Sequence, residues 1–176
     1  MTDRRAVRSE GPDPTRERVI EVFGQGGALA RTVDGFVPRP SQAEMASTVY
    51  DAIRSGATLV AEAGTGTGKT FAYLVPVLLA GGKVLISTGT KPLQDQLFRK
   101  DLPAVLASLK LVVATALLKG RANYLCLHRL DRAEAEGLLP TREDAMHLRA
   151  IRRFASETDT GDRAELPTVP ENAGVW

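Results

Sequence analysis

An α/β fold, with a parallel sheet flanked by helices, is what this sequence predicts, and three observations predict it. Short apolar, β-branched runs at 57–61, 83–87 and 111–117 alternate with stretches of helical period. The first run leads into a glycine-rich turn that opens a helix. Each later run is likewise followed by turn residues and a helical pattern, an alternation that implies right-handed crossovers. In such a sheet the loops after the strands lie along one edge, so 62–68, 87–90 and 117–121 are expected to share a ligand-binding rim.

Along the chain, residues 1–14 are charged and hold Gly11, Pro12 and Pro14, the composition of a mobile arm. Thr15 is placed to cap a short helix to Phe23, so 1–26 reads as an arm with one short helix. Another helical turn is expected over 28–33. Pro38 and Pro40 keep 36–42 extended. Ser41 with Glu44 three residues on resembles a capping box, opening a helix with Met45, Val49 and Ile53 inward and Ser55-Gly56 as its end. The next helix, 69–80, contains Pro76 and should bend there before Gly81-Gly82. Thr90 caps the helix carrying Leu93 and Leu97, which should break near Asp101-Leu-Pro103 into a second short helix with Val105, Leu106 and Leu109. Helices are expected over 123–136 and from Thr141 to about Phe154. Beyond Thr158 no period is visible.

The chemistry concentrates in Ala63-Gly64-Thr65-Gly66-Thr67-Gly68-Lys69-Thr70, a phosphate-binding loop of the Walker A kind with Ala63 where the strict pattern has glycine. Glycines let successive N–H groups point at phosphate oxygens, and the helix that follows adds the positive end of its dipole. Lys69 would reach the β- and γ-phosphates of ATP, and the Thr70 hydroxyl would ligate Mg²⁺.

Composition bounds the rest. The 176 residues are 43% hydrophobic and 25% charged with a net charge of +2, as in an ordinary soluble protein. One cysteine excludes an internal disulfide framework and suits a reducing compartment. The N-terminus lacks the apolar stretch of a secretory signal, and the run 71–80 is too short to span a bilayer. A cytoplasmic protein without a membrane segment is expected.

Other residues admit two readings each. Gln42, in Arg39-x-x-Gln42, can read an adenine edge through its amide, or be a polar residue in a first helical turn. Ser87, Thr88, Gly89, Thr90 and Lys91 offer the usual contacts to a nucleic-acid backbone, and equally a capped turn. Lys119 and Arg121 would extend a phosphate track, or sit on a solvated loop. Cys126 reads on composition as a buried structural thiol. His128 and His147 have no partners at metal-ligand spacing, and Glu62 reads as a strand-end residue. Thr90-Lys91 is followed by Pro92-Leu93, so no guanine-reading segment appears, which disfavours a GTPase.

Four blocks stand in a characteristic order: Arg39-x-x-Gln42, Glu62 to Thr70, Ser87-Thr-Gly-Thr-Lys-Pro-Leu-Gln-Asp-Gln96 and Leu118-Lys-Gly-Arg-Ala-Asn-Tyr-Leu-Cys126. From about Gly27 onward the chain closely resembles the first, RecA-like motor domain of bacterial DinG/YoaA-like helicases, relatives of the XPD-type iron–sulfur helicases of superfamily 2. The YoaA-like branch is the nearer match. The resemblance implies ATP-driven DNA unwinding with 5′-to-3′ polarity, Gln42 reading adenine, and 87–96 gripping single-stranded DNA. It implies DNA repair or replication, where partner proteins would recruit the motor. It further implies that Cys126 is the first of four ligands of a [4Fe–4S] cluster held in an insertion. The domain expectation is therefore a nucleotide-binding part of the motor over 27–125 and the start of the cluster-bearing insertion over 126–176.

The departures are one cysteine where four are needed, no Walker B acid, and no second motor domain with its arginine finger. An N-terminal fragment, not active alone, is the expectation. The rival readings are a P-loop phosphotransferase acting on a small acceptor and a truncated product that only binds DNA or a protein partner.

Overall fold

Tracing the backbone from Asp13 gives a succession of helices. The computed structural model describes residues 13–137 and 141–176; of the expected arm, residues 1–12 lie outside them. The chain divides into two compact units, one ending at Thr115 and the other covering Ala116–Trp176.

In the first unit, α1 (Pro14–Val22) starts one step before the expected cap. Asp13, not Thr15, is the capping residue, its Oδ1 accepting from the Thr15 and Arg16 amides at 2.9 and 3.3 Å. The other oxygen, Oδ2, accepts from the Tyr50 hydroxyl at 2.9 Å. The Tyr50 bond, ahead of the two amides, holds the Asp13 carboxyl below its usual range, while burial pushes the Tyr50 phenol up. Arg16 grips Asp51 through two bonds of 2.8 and 3.0 Å, so α1 is tied along one side of the helix Pro40–Ser55. Between α1 and α2 (Ala28–Thr32), Gly27 is required by space: a Cβ there would stand 2.4 Å from the Glu21 and Val22 carbonyl oxygens.

The helix α3 (Pro40–Ser55) forms as expected and stops at Gly56, but its start and face differ. Arg39 is the N-cap residue and Pro40 opens the helix, so the Ser41–Glu44 box is not used. The buried positions are Gln42, Ala46, Ser47 and Tyr50, and Ile53 is exposed. The stripe is thus rotated from Met45, Val49 and Ile53, because α1 and the helix Lys69–Ala80 both pack on α3 and draw its 42–46–50 edge inward.

Lys69–Ala80 forms α4 and runs through Pro76, which is itself buried. Leu74 and Val75 beside it belong to a core that includes Val19, Phe23, Leu29, Ala46, Val105 and Leu109. The expected break near Pro103 does not occur. Helices α5 (Lys91–Gln96) and α6 (Leu102–Leu109) join through a π turn over Leu97–Asp101, in which the Leu102 amide donates to the Leu97 carbonyl. In a regular α-helix the Pro103 ring would crowd the Arg99 carbonyl; one wide turn relieves that contact and keeps the run continuous.

The parallel sheet is not formed. Among the described residues no strand is present, and the only pairing is an isolated antiparallel bridge between Tyr124 and Asp162. The runs 57–61, 83–87 and 111–117 are irregular, with Val60 92%, Leu85 93% and Val112 102% exposed. A helix closes its hydrogen bonds within its own segment, whereas a strand exists only where a neighbour supplies the other half of every bond. Apolar β-branched composition specifies an extended run; it does not supply that neighbour. With no sheet, the shared rim expected for the three loops loses its basis.

In the second unit a single 3₁₀ turn (Arg121–Asn123) precedes α7 (Leu127–Glu136), so the helix expected from Asn123 starts four residues later. Thr141 caps α8 (Arg142–Glu157), accepting from the Asp144 amide at 3.0 Å as the sequence predicts. Leu130, Leu148, Ile151 and Val169 form this unit's core.

Candidate nucleotide site

The loop 63–70 is built by its own glycines and fastened by the first turn of α3. Gly66 and Gly68 have φ of +74° and +80°, a region that favours glycine. Arg39 donates to the Gly66 carbonyl at 2.5 Å and the Gln42 amide nitrogen to the Gly68 carbonyl at 2.9 Å. A trans peptide points its C=O and the following N–H in opposite directions. With both carbonyls turned toward α3, the Thr67 and Lys69 amides point away from it. Thr67 closes the loop internally, its hydroxyl donating to the Gly64 carbonyl at 2.9 Å.

Gln42 is 5% exposed, so its amide is a buried fastener of the loop. That geometry also predicts the effect of a methyl group at Gly68. A Cβ there would lie 2.1 Å from the Gln42 amide nitrogen, at a φ that L-residues avoid. Gly68→Ala is expected to cost about 2 kcal/mol from left-handed strain and the displaced amide, read as a lower melting temperature.

Lys69 folds back over the loop, its Nζ donating to the Ala63 and Gly64 carbonyls at 2.5 and 2.7 Å. An ammonium gathered by two loop carbonyls beside outward-facing amides fits a phosphate-bearing ligand. Anionic oxygens are stronger acceptors than neutral carbonyls and would draw the ammonium to themselves. Thr70 follows in the first turn of α4, half-buried. Thr65 is exposed at the loop tip, and so is Glu62 before it.

After this unit's second extended run, Ser87, Gly89, Thr90 and Lys91 are exposed and Thr88 is half-buried. Thr90 accepts from the Leu93 amide at 3.4 Å, the capped turn that the sequence allowed. Thr88 bonds the Thr90 carbonyl at 3.4 Å.

In the second unit Lys119 is neither solvated nor open to a phosphate. Its Nζ lies 2.7 Å from the Asp162 carboxylate, with both side chains nearly fully buried. The Lys119 amide donates to the Tyr124 hydroxyl at 2.8 Å, and Leu125 to the Gly161 carbonyl at 2.8 Å. Sequence reading missed Asp162 because it lies far along the chain in a segment without period. Arg121 is exposed.

Cys126 is an exposed free thiol, against the buried one expected from composition. Among the described residues no group of three or more metal-ligating side chains comes together. One thiolate does not fit a four-iron cluster, so this chain's own residues do not hold one. No helix among the described residues is long and apolar enough to cross a membrane.

Comparison with known proteins bears on this geometry. The DEAD/DEAH box helicase profile matches residues 39–158, which begin at Arg39 and include the whole loop. The chain is 48% identical over 158 residues to the ATP-dependent DNA helicase YoaA of Haemophilus influenzae, covering 90% of this chain and 25% of that protein. It is 38% identical over 160 residues to the ATP-dependent helicase DinG of Mycobacterium tuberculosis, covering 79% of this chain and 24% of that one. A third relative, the 3′-5′ exonuclease DinG of Bacillus subtilis, is 36% identical over 158 residues, covering 87% of this chain and 17% of its own. No solved structure matches significantly. The chain thus spans about a quarter or less of the length of these relatives. With the glycine-rich loop inside a profile match that covers most of the chain, the chain belongs to the DEAD/DEAH box helicase family.

Proposed function

We propose that this chain is the nucleotide-binding N-terminal portion of a cytoplasmic ATP-dependent DNA helicase that moves 5′ to 3′ on single-stranded DNA in replication or repair. The observation that carries it is the Lys69 ammonium held on the Ala63 and Gly64 carbonyls, in a loop that Arg39 and Gln42 fasten from α3. Lys69 would move from those carbonyls to the phosphates, and the outward amides of the loop would share their charge. Bound Mg²⁺ would supply charge neutralisation at the phosphates, with the Thr70 hydroxyl as this chain's ligand. Gln42 spends its amide nitrogen on Gly68, which leaves Oε1 to accept from the amino group of an adenine.

The exposed hydroxyls and backbone of 87–91, with Lys91, are the surface for single-stranded DNA. Arg121 adds a phosphate contact; Lys119 does not, because its ammonium is buried on Asp162. The exposure of Cys126 suits a cluster ligand whose companion thiolates come from elsewhere. The two portions are assigned as 27–125 for nucleotide and 126–176 for the beginning of that insertion, with 1–26 ahead of both.

ATP hydrolysis by the complete gene product, measured with and without single-stranded DNA, tests this reading. Turnover should rise at least tenfold on adding DNA. Hydrolysis indifferent to DNA would overturn the motor assignment.

A further inference from the structure

In the second unit α8, together with Glu134 of α7, lines a groove of about 580 Å³; its α8 residues are Leu148, Arg149, Arg152, Arg153 and Ser156. Leu148 reaches it from the core, where it packs with Leu130 and Ile151. Met146 precedes Arg149 by one helical turn and Arg153 by two, so the three share one face of α8. It is 61% exposed, unusual for so large an apolar side chain. The arginines are not equally engaged. Arg152 is held on α7, 3.1 Å from Asp131 and 2.8 Å from Glu134. Arg153 pairs with Glu157 at 2.9 Å. Arg149 is exposed, and among the described residues no carboxylate pairs with its guanidinium. The lining thus sets three arginines against one glutamate.

From this arrangement we infer that the groove docks a short protein segment, one that brings a carboxylate to Arg149 and apolar side chains to Met146 and Leu148. Arginine and methionine are the side chains that interfaces gather, the first for its planar fork and the second for its adaptable shape. The fork takes a carboxylate in two parallel bonds, as Arg16 already takes Asp51 in this chain. A groove of this volume has room for a few side chains rather than for a broad face, which suits a weak, exchangeable partner. Charge also separates a protein segment from a nucleic acid. Asp131, Glu134 and Glu157 stand beside the arginines and would repel the successive phosphates of a continuous polyanion. A phosphodiester backbone, moreover, has nothing to lay on Met146 or Leu148. A peptide can place one acidic residue next to apolar ones and satisfy both.

The test is selection of a displayed random-peptide library on this chain, followed by fluorescence titration of the peptides recovered. These should be enriched in aspartate or glutamate beside leucine, isoleucine, methionine or phenylalanine. Arg149→Glu should weaken their binding about tenfold, since it turns an attraction into a repulsion. Met146→Ser should weaken it about fivefold, the scale of partly burying one apolar side chain. Both positions are exposed, so the melting temperature should not move. A selection without acidic sequences overturns the inference, and so do peptides that bind both variants as tightly as the unsubstituted chain. A single-stranded oligonucleotide whose binding falls in Arg149→Glu and not in Met146→Ser also overturns it, making the groove a phosphate site. If Arg149→Glu loses cooperative melting, Arg149→Ser takes its place and the same outcomes decide.

Discussion

Lys69→Ala is expected to weaken ATP-analogue binding by roughly a hundredfold, about 3 kcal/mol, the upper range for hydrogen bonds to a charged group. The loop itself should survive. Its shape is set by the positive φ at Gly66 and Gly68 and by the bonds from Arg39 and Gln42, none of which uses the ammonium. What goes is the ammonium held on the Ala63 and Gly64 carbonyls. The melting temperature should therefore fall little while affinity falls much. Titration calorimetry with a non-hydrolysable ATP analogue, paired with a thermal melt, checks both halves. Equal loss of affinity and stability would mean that Lys69 acts as a structural pin.

The second large effect lies in the other unit. Asp162→Ala takes from the Lys119 ammonium the carboxylate 2.7 Å away, in a site where both side chains are nearly fully buried. Removing one partner of such a pair costs about 3–5 kcal/mol, because the remaining charge keeps its desolvation penalty and loses that carboxylate. The same residue caps the 3₁₀ turn at Arg163–Glu165 through Oδ1, which accepts from the Ala164 amide at 3.0 Å. Its backbone bridges Tyr124, so the damage should spread to the approach to α7. Hydrogen exchange resolved by residue should show lost protection between 116 and 176. A double substitution, Lys119→Met with Asp162→Leu, should recover much of the loss, since a well-packed apolar pair is no worse than a buried ion pair. No recovery would mean that the capping role outweighs the charge.

The same pair shows where sequence reading stops. Lys119 stands in a basic turn, and a solvated or phosphate-contacting side chain is the fair expectation from its neighbours. Its partner lies in a stretch with no helical or strand period, so no local signal joins the two. Composition placed Cys126 inside and the structure places it outside, because burial depends on what packs over a residue. Glycine and hydroxyl signals did better. Gly56 ends α3, Thr90 and Thr141 cap their helices, and the loop at 63–70 opens α4. These are short-range events, decided by a few neighbouring residues.

By itself, then, the sequence determined the positions of the longer helices, the glycine-rich turn that opens α4 and the family. Each is written in consecutive residues or in motifs at short spacing. Tertiary structure decided the face that α3 buries, the π turn that replaces the break at Pro103, and the pairing of Lys119 with Asp162. It also decided that the runs at 57–61, 83–87 and 111–117 stay unpaired among the described residues. The physical reason is common to all of these: a helix turn or a glycine loop closes its bonds locally, whereas a strand, a buried charge and a packed face need a distant partner.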